Sequence, residues 1–143
     1  METQERVGEL RVQRRLAHGV DDVWKALTDP EEVQAWMQAP NASLDGRAGG
    51  QVDIDAALHV TGRILVWEPP HVFEHEFRLA PSRQLPAGED AVLRYELQPD
   101  GDGCRLTMTF TRLTPATARL FSGGIKGGLD RLEKHLAARH PAP

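Results

Sequence analysis

The sequence predicts an α+β domain, and three observations carry that prediction. Two short amphipathic helices follow one another within residues 20–36. Apolar residues then recur at every second position through a series of segments divided by glycine and proline, and after Thr114-Pro115 the apolar period lengthens to that of one long helix. Strands joined by turns this short must be mostly antiparallel, because parallel neighbours need long crossovers. A single twisted sheet with so much apolar surface requires a cover, and only the C-terminal helix is long enough to supply it. The expected architecture is a curved antiparallel sheet of about six to seven strands, two short helices after the first strand, and a long C-terminal helix packed across the sheet over a cavity.

The first strand lies within residues 8–17, where Leu10, Val12 and Leu16 alternate with polar residues and Arg14 interrupts them on the apolar side. Val20, Val23, Trp24 and Leu27 form one helical stripe. Asp29 is placed to cap a second helix, with Pro30 at its first position and Glu32 at the capping-box position, while Val33, Trp36 and Met37 form its buried face. Gly46, Gly49 and Gly50 punctuate a loop before alternation resumes at Val52 and Ile54. Leu58, Val60, Ile64 and Val66 then alternate up to Pro69-Pro70, which cannot donate to a sheet ladder. In residues 71–79, Phe73, His75, Phe77 and Leu79 share one face, and Glu74, Glu76 and Arg78 the other. A loop over residues 80–90 leads to Leu93, Tyr95 and Leu97; a turn at residues 99–103 follows, and Leu106, Met108 and Phe110 close the sheet with Cys104 in phase. Phe121, Ile125, Leu129, Leu132 and Leu136 lie on one stripe of a helix that runs to about Arg139, and residues 138–143 read as a frayed tail. No repeat or linker divides the chain, so one domain is expected over residues 1–143, with its core at about 8–139.

At 143 residues the chain needs no disulfide or metal staple, since a domain of this size buries about 70% of the surface its unfolded chain exposes. A formal charge of -4 leaves no electrostatic footprint for nucleic acid, and Arg11, Arg14 and Arg15 are too few to make a basic patch. The single cysteine, Cys104, excludes an internal disulfide and fits a reducing, cytoplasmic setting. The N-terminal residues are charged, and no apolar run approaches the ~20 residues that span a bilayer, so neither secretion nor membrane insertion is expected.

In this order of elements the chain resembles the helix-grip fold of the START superfamily, also called SRPBCC. Individual motifs narrow the resemblance. Val23-Trp24-Lys25-Ala26-Leu27-Thr28-Asp29-Pro30 followed by Trp36, then Gly46-Arg47-Ala48-Gly49-Gly50, then Gly62-Arg63-Ile64 leading to Glu68-Pro69-Pro70, are similar to the branch named after the activator of heat-shock protein 90 ATPase. Members of that branch often carry a Gly-Trp pair in the last helix, whereas this chain reads Gly123-Gly124-Ile125-Lys126-Gly127-Gly128-Leu129, with Ile125 in place of the tryptophan. Each of these glycines costs roughly 0.8 to 1 kcal/mol of helix propensity relative to alanine. The loss points either to close helix-to-sheet approach or to a bend near a cavity mouth. The resemblance implies a START-like domain whose sheet and long helix enclose a cavity, where many members of the superfamily hold apolar small molecules. The name of the branch implies similarity to a cochaperone domain and no activity of its own.

Six histidines raise the question of a metal. In an extended strand His71 and His75 stand ~13 Å apart, His135 and His140 point about 140° apart on a helix, and His18 and His59 have no ligand-like spacing, so no metal and no other cofactor is expected. His75 and Arg14 each fall on an otherwise apolar face. Inside a cavity they would orient a ligand's polar group; in a plain core, Arg14 snorkels to water and His75 bonds a backbone carbonyl. Tyr95 carries a hydroxyl that must find a partner if buried. With Trp36, Ile64, Phe73, Phe77, Met108, Phe121 and Ile125, these three make up the candidate cavity lining, although large aromatic residues, Trp24 above all, equally make an ordinary core. Asp53 and Asp55 alternate with apolar residues and read as a solvated face. Cys104 reads as a buried, inert thiol. No catalytic residue set emerges, since the sequence holds no GxSxG motif, phosphate loop or dinucleotide fingerprint.

Three functions therefore stay open. The leading one is non-enzymatic binding of a small hydrophobic or amphipathic molecule between sheet and C-terminal helix. The second is a protein-partner module associated with a chaperone, and the third is a cyclase- or hydrolase-type enzyme using His75 as general acid or base. Fold alone does not choose among them. Monomer and homodimer are both open, the latter through an edge strand.

Overall fold

A computed structural model describes the backbone of residues 2–6 and the whole of residues 8–139. His140 and residues 141–143 of the expected tail lie outside the described residues, while Ala138 and Arg139 belong to the last helix. The elements run β1 (Glu2–Arg6), β2 (Glu9–Leu16), α1 (Val20–Thr28), α2 (Pro30–Met37), β3 (Asn41–Leu44), β4 (Gln51–Asp55), β5 (His59–Glu68), β6 (Val72–Leu79), β7 (Glu89–Asp100), β8 (Gly103–Thr111) and α3 (Pro115–Arg139). All strands pair antiparallel in the order β1-β2-β8-β7-β6-β5-β4-β3. This is the expected α+β helix-grip arrangement, with two short strands added at the sheet edges. Neither β1, with sequence ETQER, nor β3, with sequence NASL, holds enough apolar residues to show a period.

One face of the sheet forms the core. Leu10, Val12 and Leu16 of β2, Phe73, His75 and Phe77 of β6, Leu93, Tyr95 and Leu97 of β7, and Leu106, Met108 and Phe110 of β8 all point to it and are buried. The opposite face carries ion pairs across strands, among them Arg94–Glu74 at 3.3 Å and Arg78–Asp90 at 3.5 Å. The even alternation expected along β5 does not survive. Its register against β6 shifts between Ile64 and Val66, which leaves Leu65 exposed and brings Trp67 opposite Phe73. A bulge of one residue moves every later side chain to the other face, so Trp67 replaces Val66 on the core side.

The two short helices meet at Asp29. Its carboxylate caps α2 by accepting the Glu31 N–H at 2.9 Å, while its own N–H closes α1 onto the Lys25 carbonyl at 2.9 Å. The reciprocal bond of a capping box needs that same N–H, so the role expected of Glu32 is already taken. Glu32 instead turns inward and is buried, with His135 at 2.9 Å, Arg139 at 3.7 Å and Lys25 at 3.8 Å. This cluster fastens α2 to the C-terminal turns of α3. Trp36 ties the helix pair together by donating from Nε1 to the Ala26 carbonyl at 2.8 Å.

The long helix is packed unevenly. In its second half Leu129, Leu132 and Leu136 are fully buried, whereas Phe121 and Ile125 in the first half are half-buried and Leu120 is exposed. A Cβ added at Gly123 or Gly124 would meet no atom within 4 Å, and one at Gly127 or Gly128 would meet only the Arg131 side chain. The helix runs unbroken through these glycines, so close approach to the sheet does not explain them. At its start, the Glu89 carboxylate accepts from the Thr114 N–H at 3.0 Å and the Thr114 hydroxyl at 2.9 Å. Burial alone would push this carboxyl up; hydrogen bonds from Thr117, Thr114 and Asp90 outweigh it and hold the group below the usual range.

Candidate functional site

The concave face carries a continuous row of rings. Trp24 meets Trp67 at 5.1 Å between centroids, Trp67 meets Phe73 at 5.4 Å, and Phe73 stacks on Tyr95 at 5.8 Å and lies 5.0 Å from His75. His75 leads on to Phe77 at 6.3 Å, and Phe77, Phe110 and Phe121 form a cluster with separations of 5.3 to 5.7 Å. One end of the row sits against α1. The other sits under the loosely packed first half of α3, through Phe121.

Within this row His75 is held by a local break in the β5–β6 ladder. The Arg63 N–H goes to the Glu76 side chain at 2.9 Å instead of to a backbone carbonyl. The Glu76 carbonyl lies so close to Gly62 that any Cβ there would overlap it, and it faces His75 Nδ1 at 2.7 Å. A carbonyl only accepts, so Nδ1 carries the proton and donates. Burial pushes the imidazole down to about 4 from 6.5, against the opposing effect of that backbone bond. At neutral pH the ring is therefore uncharged and its Nε2 presents a lone pair. Such a ring is a good hydrogen-bond acceptor and a weak base.

No described residue forms a hydrogen bond with His75 Nε2 or with Tyr95 Oη. Every fully enclosed side-chain nitrogen or oxygen among the described residues does have a partner. These two atoms are therefore not fully enclosed, although their residues are only 2% and 4% exposed. Burial also pushes the Tyr95 hydroxyl up, so it stays a neutral donor and acceptor.

The remaining candidates separate by position. Phe73, Phe77, Phe121, His75 and Tyr95 meet as rings, and Ile64 and Met108 are buried on the same face, with Ile64 paired to His75 and Met108 to Tyr95. Ile125 is half-buried on α3. Trp36 belongs to the helix pair, where its N–H is already engaged. Arg14 reaches across to α3, with Nη1 at 2.8 Å from Asp130 and 2.7 Å from Glu133. The carboxyl of Asp130 is held below its usual range by hydrogen bonds from Lys126 and then Arg14. Trp24, Trp67 and Phe110 join the row from outside the candidate set, and only the bulge at Leu65 puts Trp67 there. Cys104 is buried, and burial pushes its thiol up to about 11, so it is no nucleophile at neutral pH.

On the opposite face lies an open groove of about 500 Å³ lined by Gln34, Asn41, Ser43, Asp53, Asp55 and His59. Its imidazole and one carboxylate already bond each other, His59 to Asp53 at 2.6 Å. In open, solvated surroundings such a pair is worth little. No helix among the described residues is long and apolar enough to cross a membrane.

Residues 17–137 match the model of the family described as Activator of Hsp90 ATPase homolog 1-like protein. No curated protein matches the chain by sequence. Among solved structures the chain is similar to a protein of Mesorhizobium loti, at a TM-score of 0.78 and 22% identity over 94% of this chain and 99% of that one. It is similar to CalU16 of Micromonospora echinospora at 0.77 and 22%, over 96% and 87%. An HSP90 activator from Plasmodium falciparum gives 0.76 and 13%, over 90% and 96%. At these identities the likeness is one of fold.

Proposed function

Because the chain belongs to the family of Activator of Hsp90 ATPase homolog 1-like proteins, we propose that it binds a small apolar or amphipathic molecule between the concave sheet and the first half of α3. The observation that carries this reading is the pair of polar atoms, His75 Nε2 and Tyr95 Oη, that are incompletely enclosed and unpartnered within an aromatic face. A core built only for packing gains nothing from leaving two such atoms without partners. Phe77, Phe121 and Ile125 would form the entrance, and Ile64, Phe73 and Met108 the walls. Affinity would come from apolar burial at about 25 cal/mol per Å², less the cost of ordering ligand and side chains. Arg14 and Trp36 would hold the frame and not the ligand.

The experiment is native mass spectrometry of the purified protein against its denatured spectrum, followed by a titration with the uncharged probe N-phenyl-1-naphthylamine and with naphthalene. A co-purifying small molecule, or saturable binding with one site per chain, is the expected result. Protein that carries nothing and binds neither compound overturns the reading. The family match favours a second reading, docking to an Hsp90-type chaperone. It predicts that adding the protein changes the turnover of an Hsp90 ATPase, and an unaltered rate at saturating protein removes it.

A further inference from the structure

We propose that the site selects a neutral, hydroxyl-bearing ligand, an alcohol or a phenol, over a carboxylate of the same skeleton. This rests on the cavity reading above and adds to it the chemistry of the ligand's polar end. The Glu76 carbonyl takes the Nδ1 proton of His75, which leaves Nε2 able to accept and unable to donate. A ligand must therefore bring a donor to this ring. Tyr95 Oη, on the neighbouring strand and with its ring centroid 6.5 Å from that of His75, can donate to a ligand oxygen or accept from it. A hydroxyl supplies both functions; a carboxylate supplies only acceptors and would face the Nε2 lone pair.

Charge argues the same way. An anion leaving water for this face would need a cation to receive it, because an unpaired charge in an apolar interior is strongly disfavoured. Arg14 is the cation on the concave face of β2, and it is engaged by Asp130 and Glu133. Neither His75 nor Tyr95 is charged at neutral pH. The site thus offers two neutral, directional partners and no counter-charge.

The test is equilibrium binding of 2-naphthol, naphthalene and 2-naphthoate to the wild-type protein, Tyr95→Phe and His75→Leu. Two hydrogen bonds, each contributing a net factor of a few, give 2-naphthol an advantage of about tenfold over naphthalene, and 2-naphthoate binds weakest. Tyr95→Phe should bring 2-naphthol to within about threefold of naphthalene with no loss of folding stability, since Oη bonds no described residue. His75→Leu should remove the same preference; if it folds poorly, Tyr95→Phe decides alone. Equal binding of naphthol and naphthalene by the wild-type protein, tighter binding of naphthoate, or a naphthol preference left undiminished by Tyr95→Phe overturns the inference and leaves the cavity standing. Failure of all three compounds to bind overturns both.

Discussion

Replacing His75 by glutamine removes a titratable ring from the centre of the aromatic row and keeps a polar side chain of similar size. In the unfolded chain the imidazole takes its proton at 6.5, and in the folded protein only at about 4. Between those values the unfolded state binds more protons, so this residue lowers stability as the pH falls, starting below 6.5 and levelling off near 4. Worked through the linkage relation, the wild-type protein should lose about 2 kcal/mol from this ring between about pH 7 and pH 5, approaching about 3 kcal/mol at the lower limit. The assay is urea denaturation of both proteins at several pH values across that range. The difference in unfolding free energy between them should change by about 2 kcal/mol in the stated direction, whatever the absolute cost of the substitution. Parallel curves would refute the reasoning, because they would mean that the folded ring protonates as it does in water and that Nε2 is not a buried neutral acceptor.

Other substitutions test the frame. Arg14→Met keeps the aliphatic stem and removes the bonds to α3; with both carboxylates half exposed, the loss should be about 1 to 2 kcal/mol, and the gap to wild type should shrink in high salt. Glu89→Gln should cost about 2 kcal/mol at neutral pH. Because the folded carboxyl sits below its unfolded value of 4.5, its stabilisation is present above that value and lost as the pH falls, so denaturation at about pH 3 should find the gap narrowed. Gly124→Ala should raise stability by roughly 0.5 to 1 kcal/mol, since the new methyl meets open space; a fall in the denaturation midpoint would show that this part of α3 lies closer to the sheet.

Apart from the edge strands β1 and β3, the sequence alone determined the order of the elements, the antiparallel pairing and the long covering helix. Those follow from the period of the apolar residues and from Asp29-Pro30 and Thr114-Pro115, signals that lie within a few residues of what they specify. It also placed His75 and Arg14 on the apolar face, because alternation along a strand is local too. What each of them does there was decided only in three dimensions. Arg14 and Glu32 find partners 116, 119 and 103 positions away in the chain, and a single extra residue at Leu65 sends Trp67 rather than Val66 into the core. The free lone pair on His75 depends on a carbonyl turned out of the ladder above Gly62. Register shifts and the pairing of buried polar groups depend on which strands become neighbours, and that is set by packing across the whole sheet.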